Sequence, residues 1–245
     1  LLINSTSSST DQQTIATVSD QISIAVDGEQ IQAEAASSEQ KVSQTQASNY
    51  SNSGCFTEVA TLSNGTIITA WEAVGKDGSG LAVLARLFQS NGTPLGDEFV
   101  VNTYTASDQA RPRVSALKSG GFVITWQSIW QEAAGGYNAW GCFAQIYDSQ
   151  GQRVGNEFQV NTWTNDNQGY PVIASLTDGG FVAAWFSYLQ DGSGGGVYGQ
   201  AFNSDGSKRG SEFRINSIIP GFQEAPEITG LSTGGFATTW ADNID

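Results

Sequence analysis

Four tryptophans, Trp71, Trp126, Trp185 and Trp240, recur at intervals of 55, 59 and 55 residues, and nothing else in the chain constrains its fold as strongly. Each closes a largely apolar run: Thr66-Ile67-Ile68-Thr69-Ala70, Gly121-Phe122-Val123-Ile124-Thr125, Gly180-Phe181-Val182-Ala183-Ala184 and Gly235-Phe236-Ala237-Thr238-Thr239. Other markers keep their offsets. Pro112, Pro171 and Pro226 lie 14 residues before their Trp, and Gln109, Gln168 and Gln223 lie 17 before. Gly96-Asp97-Glu98-Phe99, Gly155-Asn156-Glu157-Phe158 and Gly210-Ser211-Glu212-Phe213 lead to Asn102, Asn161 and Asn216. Such a period means that each unit is a piece that buries its apolar face only against its neighbours. In the third unit four strands are expected, at 172–176, 181–187, 197–202 and 212–216, split by Asp-Gly turns. Four short antiparallel strands per unit predict an all-β fold of propeller-like blades. Stacked sandwich modules or a solenoid are the alternatives. Units fall at about 54–108, 109–167, 168–222 and a partial 223–245, together the β-repeat domain 51–245.

Residues 1–50 are different material: 10 Ser, 8 Gln and 5 Thr, with no aromatic before Tyr50. A segment this poor in apolar side chains cannot bury enough surface to offset its own ordering. Ile22, Ile24 and Val26 alternate with polar or small neighbours, as do Ile31, Ala33 and Ala35, across Asp27-Gly28. That pattern predicts a hairpin at about 21–35 within an extended N-terminal arm. An isolated hairpin is marginal in water and calls for a sheet edge. The fourth unit offers one, since it stops soon after its second strand. The arm then either closes the fourth blade of its own chain or adds to a neighbouring molecule, which would make self-association through the arm the basis of a filament.

The chain carries 24 acidic and 10 basic residues, a net charge of −14, and no His. Missing His removes the commonest general base and zinc ligand, and the charge repels phosphate, so nucleic acid is excluded as a partner. No run of about 18 apolar residues exists to make a transmembrane segment. Leu1 stands where a translation start would have Met, which reads as a processed secreted product or a piece of a longer chain; an extracellular or cell-surface location is expected.

The repeat resembles the tandem units of very large secreted and cell-surface bacterial proteins, adhesin-like and in part associated with calcium-binding RTX tracts. Gln190-Asp191-Gly192-Ser193-Gly194, Val197-Tyr198-Gly199-Gln200-Ala201-Phe202, Gly210-Ser211-Glu212-Phe213 and Gly179-Gly180-Phe181-Val182 carry the resemblance. Thr57 replaces the Pro of later units, and Glu132 replaces Asp77 and Asp191. The resemblance implies a structural or adhesive role.

Candidate chemistry is sparse. Glu98, Glu157 and Glu212 recur once per unit, whereas a catalytic pair should be singular, so they read as structural. Asp77 and Asp191 are hard oxygen donors that calcium could use, or turn-forming Asp. The four periodic Trp read as packing, while Trp130, Trp140 and Trp163 lie off the repeat and are the candidates for ligand contact with glycans. Cys55 and Cys142 either form a disulfide or leave Cys142 a buried thiol. Sequons at Asn4, Asn49, Asn64 and Asn91 are candidate glycosylation sites, although Asn-Gly-Thr at the last two is also an ordinary hairpin turn. The expected function is a secreted structural or adhesive subunit of an extracellular assembly, not an enzyme, with a glycan-binding propeller-like module as the alternative.

Overall fold

The computed structural model of the chain describes residues 22–26, 29–33, 56–132 and 140–243, the first two stretches as backbone only. The chain divides into two units, Leu1–Gln40 and Lys41–Asp245. In the first, strands β1 (Ile22–Val26) and β2 (Glu29–Ala33) pair antiparallel from Ile22↔Ala33 to Val26↔Glu29. The expected turn at Asp27-Gly28 lies outside the described residues, but this register leaves just two residues for it, as a tight hairpin requires.

The second unit is all-β among the described residues. Blade 1 comprises β3 (Thr57–Thr61), β4 (Ile67–Val74), β5 (Leu81–Phe88) and β6 (Phe99–Val100). Blade 2 comprises β7 (Gln109–Ala116), β8 (Phe122–Ile129), β9 (Trp140–Tyr147) and β10 (Arg153–Gln159). Blade 3 comprises β11 (Gln168–Ser175), β12 (Phe181–Tyr188), β13 (Gly195–Phe202) and β14 (Lys208–Arg214). The fourth unit supplies β15 (Phe222–Gly230) and β16 (Phe236–Asn243), tied to blade 3 by one parallel bridge, Gly195↔Phe222. Within each blade neighbouring strands pair antiparallel in sequence order. β11 begins at Gln168 rather than at the expected 172, because pairing continues past Pro171 through an irregularity in the ladder.

First strands of successive units pack on one another, β3 on β7, β7 on β11 and β11 on β15, so they surround a common axis with later strands outside. Alternation along the second strands then decides which side chain meets which blade. Phe122, Ile124 and Trp126 face blade 1 and pack on Ile68, Ala70, Val83, Ala85 and Leu87. Val123 faces blade 3 and joins Cys142, Ala144 and Ile146 against Phe181, Ala183 and Trp185. Trp126 and Trp185 are fully buried in these interfaces. Trp126 and Trp185 are therefore inter-blade packing elements, each worth about 3–5 kcal/mol if truncated to Ala.

Repeated Asn and Gln fasten each blade to the next. Asn102, Asn161 and Asn216 accept the N–H of Val83, Cys142 and Val197 through Oδ1, each at 2.9 Å. Their Nδ2 groups donate to Oε1 of Gln109, Gln168 and Gln223. The Gln amides in turn donate to the carbonyls of Ala106, Asn165 and Pro220, closing the link that enters the next first strand. These side chains are 3% exposed or less, so each buried polar group is repaid by the bonds it makes.

Candidate functional site

The inner strands β7, β11 and β15 share a break in register, between Ala110 and Arg113, Gly169 and Val172, and Glu224 and Glu227. At each break the residue before the repeat Pro is left-handed: Arg111 at φ 55°, Tyr170 at 55° and Ala225 at 50°. Three non-glycine residues in that region cost about 1–3 kcal/mol each and persist only where the surroundings over-determine them. Two of the anchors come from the preceding blade, from the residue after its Trp. Arg111 donates its N–H to Glu72 Oε1 at 2.5 Å, and Tyr170 donates to Gln127 Oε1 at 3.0 Å. Blade 1 has Thr57 in place of Pro, and β3 pairs with β4 without a break.

With Phe56 just ahead of β3, these positions converge at the axis. A cavity of about 180 Å³ is lined by Phe56, Arg111, Tyr170 and Ala225, with Arg113 and Glu227 beside them. Here the repeat stops repeating: Gln and Pro on either side are kept in units 2 to 4, while the two residues between them vary, the one before Pro being Arg, Tyr or Ala. The Arg111 guanidinium lies between two rings, 4.2 Å from the centroid of Phe56 and 4.1 Å from that of Tyr170. Both rings are nonetheless 37–40% exposed. Arg113 bonds Glu58 Oε1 at 2.5 Å and Glu227 Oε1 at 2.8 Å, joining blades 1, 2 and 4 across the axis. Burial pushes the Glu72 carboxyl up, against the lowering effect of the Arg111 N–H. At the opposite end of the axis the Ser115 and Ser175 hydroxyls are in contact at 2.9 Å, and Ser175 donates to the Ala116 carbonyl.

The other predicted residues lie elsewhere. Loops between second and third strands, and links from fourth to first strands, share the face on which the cavity opens, because the first strands begin there. Trp130, 55% exposed, takes the left-handed turn position held by Gly75 and Leu189. Trp140 opens β9 and donates its N–H to Asn167, and Trp163, 36% exposed, offers its carbonyl to Asn161. None of the three lines the cavity described. Asp77 and Asp191 accept the N–H of Ser79 and Ser193, respectively, two residues on. Among the described residues no group of three or more His, Cys, Asp or Glu is placed to hold a metal ion. Glu157 and Glu212 accept the N–H of Thr103 and Thr162 and the amides of Gln131 and Gln190, while Glu98 pairs with Lys76. Cys142 is a free, fully buried thiol pushed up by desolvation. Cys55, Asn4 and Asn49 lie outside the described residues. Asn64 and Asn91 are exposed, each accepting the N–H of the Thr two residues on. Among the described residues no helix is long and apolar enough to cross a membrane.

Sequence reasoning missed the axial residues because it sought outliers in the loops. The signal was the variable pair inside each Gln-x-x-Pro, whose second member is the axial residue.

Fold and site together define a β-propeller-type scaffold with a cavity at its axis. Solved structures share the fold at low identity. A protein of unknown function from Dyadobacter fermentans matches with a TM-score of 0.54 at 10% identity, covering 76% of this chain and 61% of that one. A Penicillium chrysogenum α-L-arabinanase complexed with arabinobiose gives 0.52 at 14%, covering 75% and 58%. A family-93 α-L-arabinofuranosidase of Fusarium graminearum, also with arabinobiose, gives 0.50 at 12%, covering 75% and 58%. The chain thus spans about three fifths of the length of these structures. No protein-family model matches it, and no curated protein sequence does. The expectation that the chain is not an enzyme is corrected here. It rested on repeated carboxylates, whereas the fold is shared with two glycoside hydrolases and the axis carries carboxylates that do not recur in every unit.

Proposed function

We propose that the chain is a glycan-binding β-propeller module whose ligand enters at the axis, over Phe56, Arg111 and Tyr170. The observation that carries the reading is the departure from the repeat at these positions around one cavity. Exposed rings held rigid by a guanidinium make a stacking platform for a sugar at little entropic cost. Two of the structures that share the fold were solved with arabinobiose, which supports the glycan alternative over an adhesive filament. An extracellular location, with Asn64 and Asn91 exposed for glycosylation, belongs to the same reading.

Oligosaccharides screened on a glycan array and then titrated by calorimetry test it. Tyr170→Ala should weaken binding at least about tenfold, the loss of one well-packed aromatic contact. Binding that ignores Tyr170 and Arg111 and disappears with Trp130→Ala or Trp163→Ala would move the site to the loops.

Hydrolysis of the bound glycan is a second reading, favoured by Glu58 and Glu227. Both occupy the position after the repeat Pro or its Thr57 counterpart, and both reach Arg113. Release of reducing ends that Glu227→Gln abolishes, and Glu157→Gln leaves intact, would establish it.

A further inference from the structure

We infer that the axial site takes a sugar bearing a carboxylate, read by the edge of Arg111. This rests on the glycan-binding reading and names the class of glycan. Arg111 and Arg113 stand two residues apart in β7 with opposite fates. Arg113 is ion-paired with two carboxylates, from Glu58 and Glu227. Arg111, half-buried, lines the cavity, and among the described residues its guanidinium has no hydrogen-bond acceptor and no ion-pair partner. Two ring centroids 4.2 and 4.1 Å from its Cζ hold the guanidinium in place, and its N–H groups remain to be used. A clamped planar fork matches a planar two-oxygen anion bidentately, and does so better than it matches single hydroxyls.

The backbone supports the assignment. Arg111 is held left-handed at φ 55°, with its N–H committed to Glu72, so the backbone that carries the fork is fixed before any ligand arrives. Ala225 at the equivalent position of the fourth unit lines the same cavity with no more than a methyl group. About 180 Å³ is small against the roughly 300–1,000 Å³ of ordinary small-molecule sites, which suits one acidic sugar residue rather than a chain segment. Glu227 also lines the cavity but is ion-paired with Arg113, and exposed charges of the acidic chain beyond about 8 Å are screened at physiological ionic strength.

The test compares three oligosaccharides of one length on the intact chain: a uronic-acid oligomer, its carboxyl-reduced neutral counterpart and a sulfated oligomer. Wild type should prefer the uronic form over the neutral one by about ten- to a hundred-fold, as a charge-assisted hydrogen bond implies. Arg111→Gln should abolish the preference, bringing acidic and neutral oligomers to one affinity whatever that common affinity is, and Arg111→Lys should restore only part of it. Equal affinity of wild type for acidic and neutral oligomers overturns the inference and leaves the glycan reading standing. Preference for the sulfated oligomer overturns the choice of carboxylate. Failure to bind any of the three while another glycan of the array binds overturns the inference alone, and failure to bind any glycan at all overturns both readings. The wild-type comparison decides even if a variant fails to fold.

Discussion

Glu132 occupies the loop position that Asp77 and Asp191 hold in the neighbouring blades, one methylene longer, and it is driven into the blade. It is 6% exposed, and its Oε1 accepts from Gln159 and Asn161 at 2.6 Å each, while Oε2 has no partner among the described residues. Desolvation raises its carboxyl from 4.5 to about 7, with the two amides pulling the other way. The folded state thus holds this proton more tightly than the unfolded chain. Its stabilisation is complete below pH 4.5 and is lost as pH rises through about 7. A gap of that size corresponds to about 3 kcal/mol. Glu132→Gln should therefore melt higher than wild type at pH 8, by roughly 6–12 °C for a body of this size, and the difference should vanish at pH 4.5. Equal melting temperatures at both pH values would mean that the carboxylate is solvated as well in the fold as outside it.

At the scale of strands and turns, the second glycine of the Gly-Gly-Phe entry is where a blade becomes sensitive. A Cβ at Gly121 would run into the Tyr147 carbonyl, and one at Gly180 into that of Phe202, both on the third strand. Gly235 in the fourth unit meets nothing within 4 Å. Gly180→Ala should cost about 1–3 kcal/mol through displaced backbone. Gly235→Ala should cost no more than the strain of its φ of +75°, near 1 kcal/mol. Thermal melts of the two variants that coincided would remove the third strand from the explanation. Strands of this kind were legible in the sequence, because Trp and Phe at fixed offsets and Asp-Gly turns act locally. The inner strands were not. Pro171 read as a strand boundary, and only pairing with β12 and the Gln127 bond from blade 2 let β11 run through it to Gln168. That same long-range anchoring makes Arg111 and Tyr170 site residues, and no short window of sequence contains it.

For the whole molecule the charge is the remaining variable. Only four ion pairs, Lys76–Glu98, Arg113–Glu58, Arg113–Glu227 and Arg209–Asp178, are formed among the described residues, against a net charge of −14. Two of them, Lys76–Glu98 and Arg209–Asp178, are substantially exposed and contribute little to stability. Self-repulsion should then dominate, and melting temperature at pH 7 should rise as salt increases from about 0.02 M to about 0.3 M. A fall would mean that the Arg113 pairs outweigh the field of the whole. Glu132→Gln should keep this salt response, since its own effect is local desolvation, so the two contributions separate in one set of melts. The same field bears on an acidic ligand. Repulsion slows its approach and salt screens that repulsion, while the Arg111 contact, formed only after arrival, weakens with salt. Stopped-flow binding of a uronic-acid oligomer should therefore show both association and dissociation rates rising with salt. An association rate that fell with salt would mean that the ligand is steered by a positive surface, which this acidic chain would have to present somewhere other than its axis.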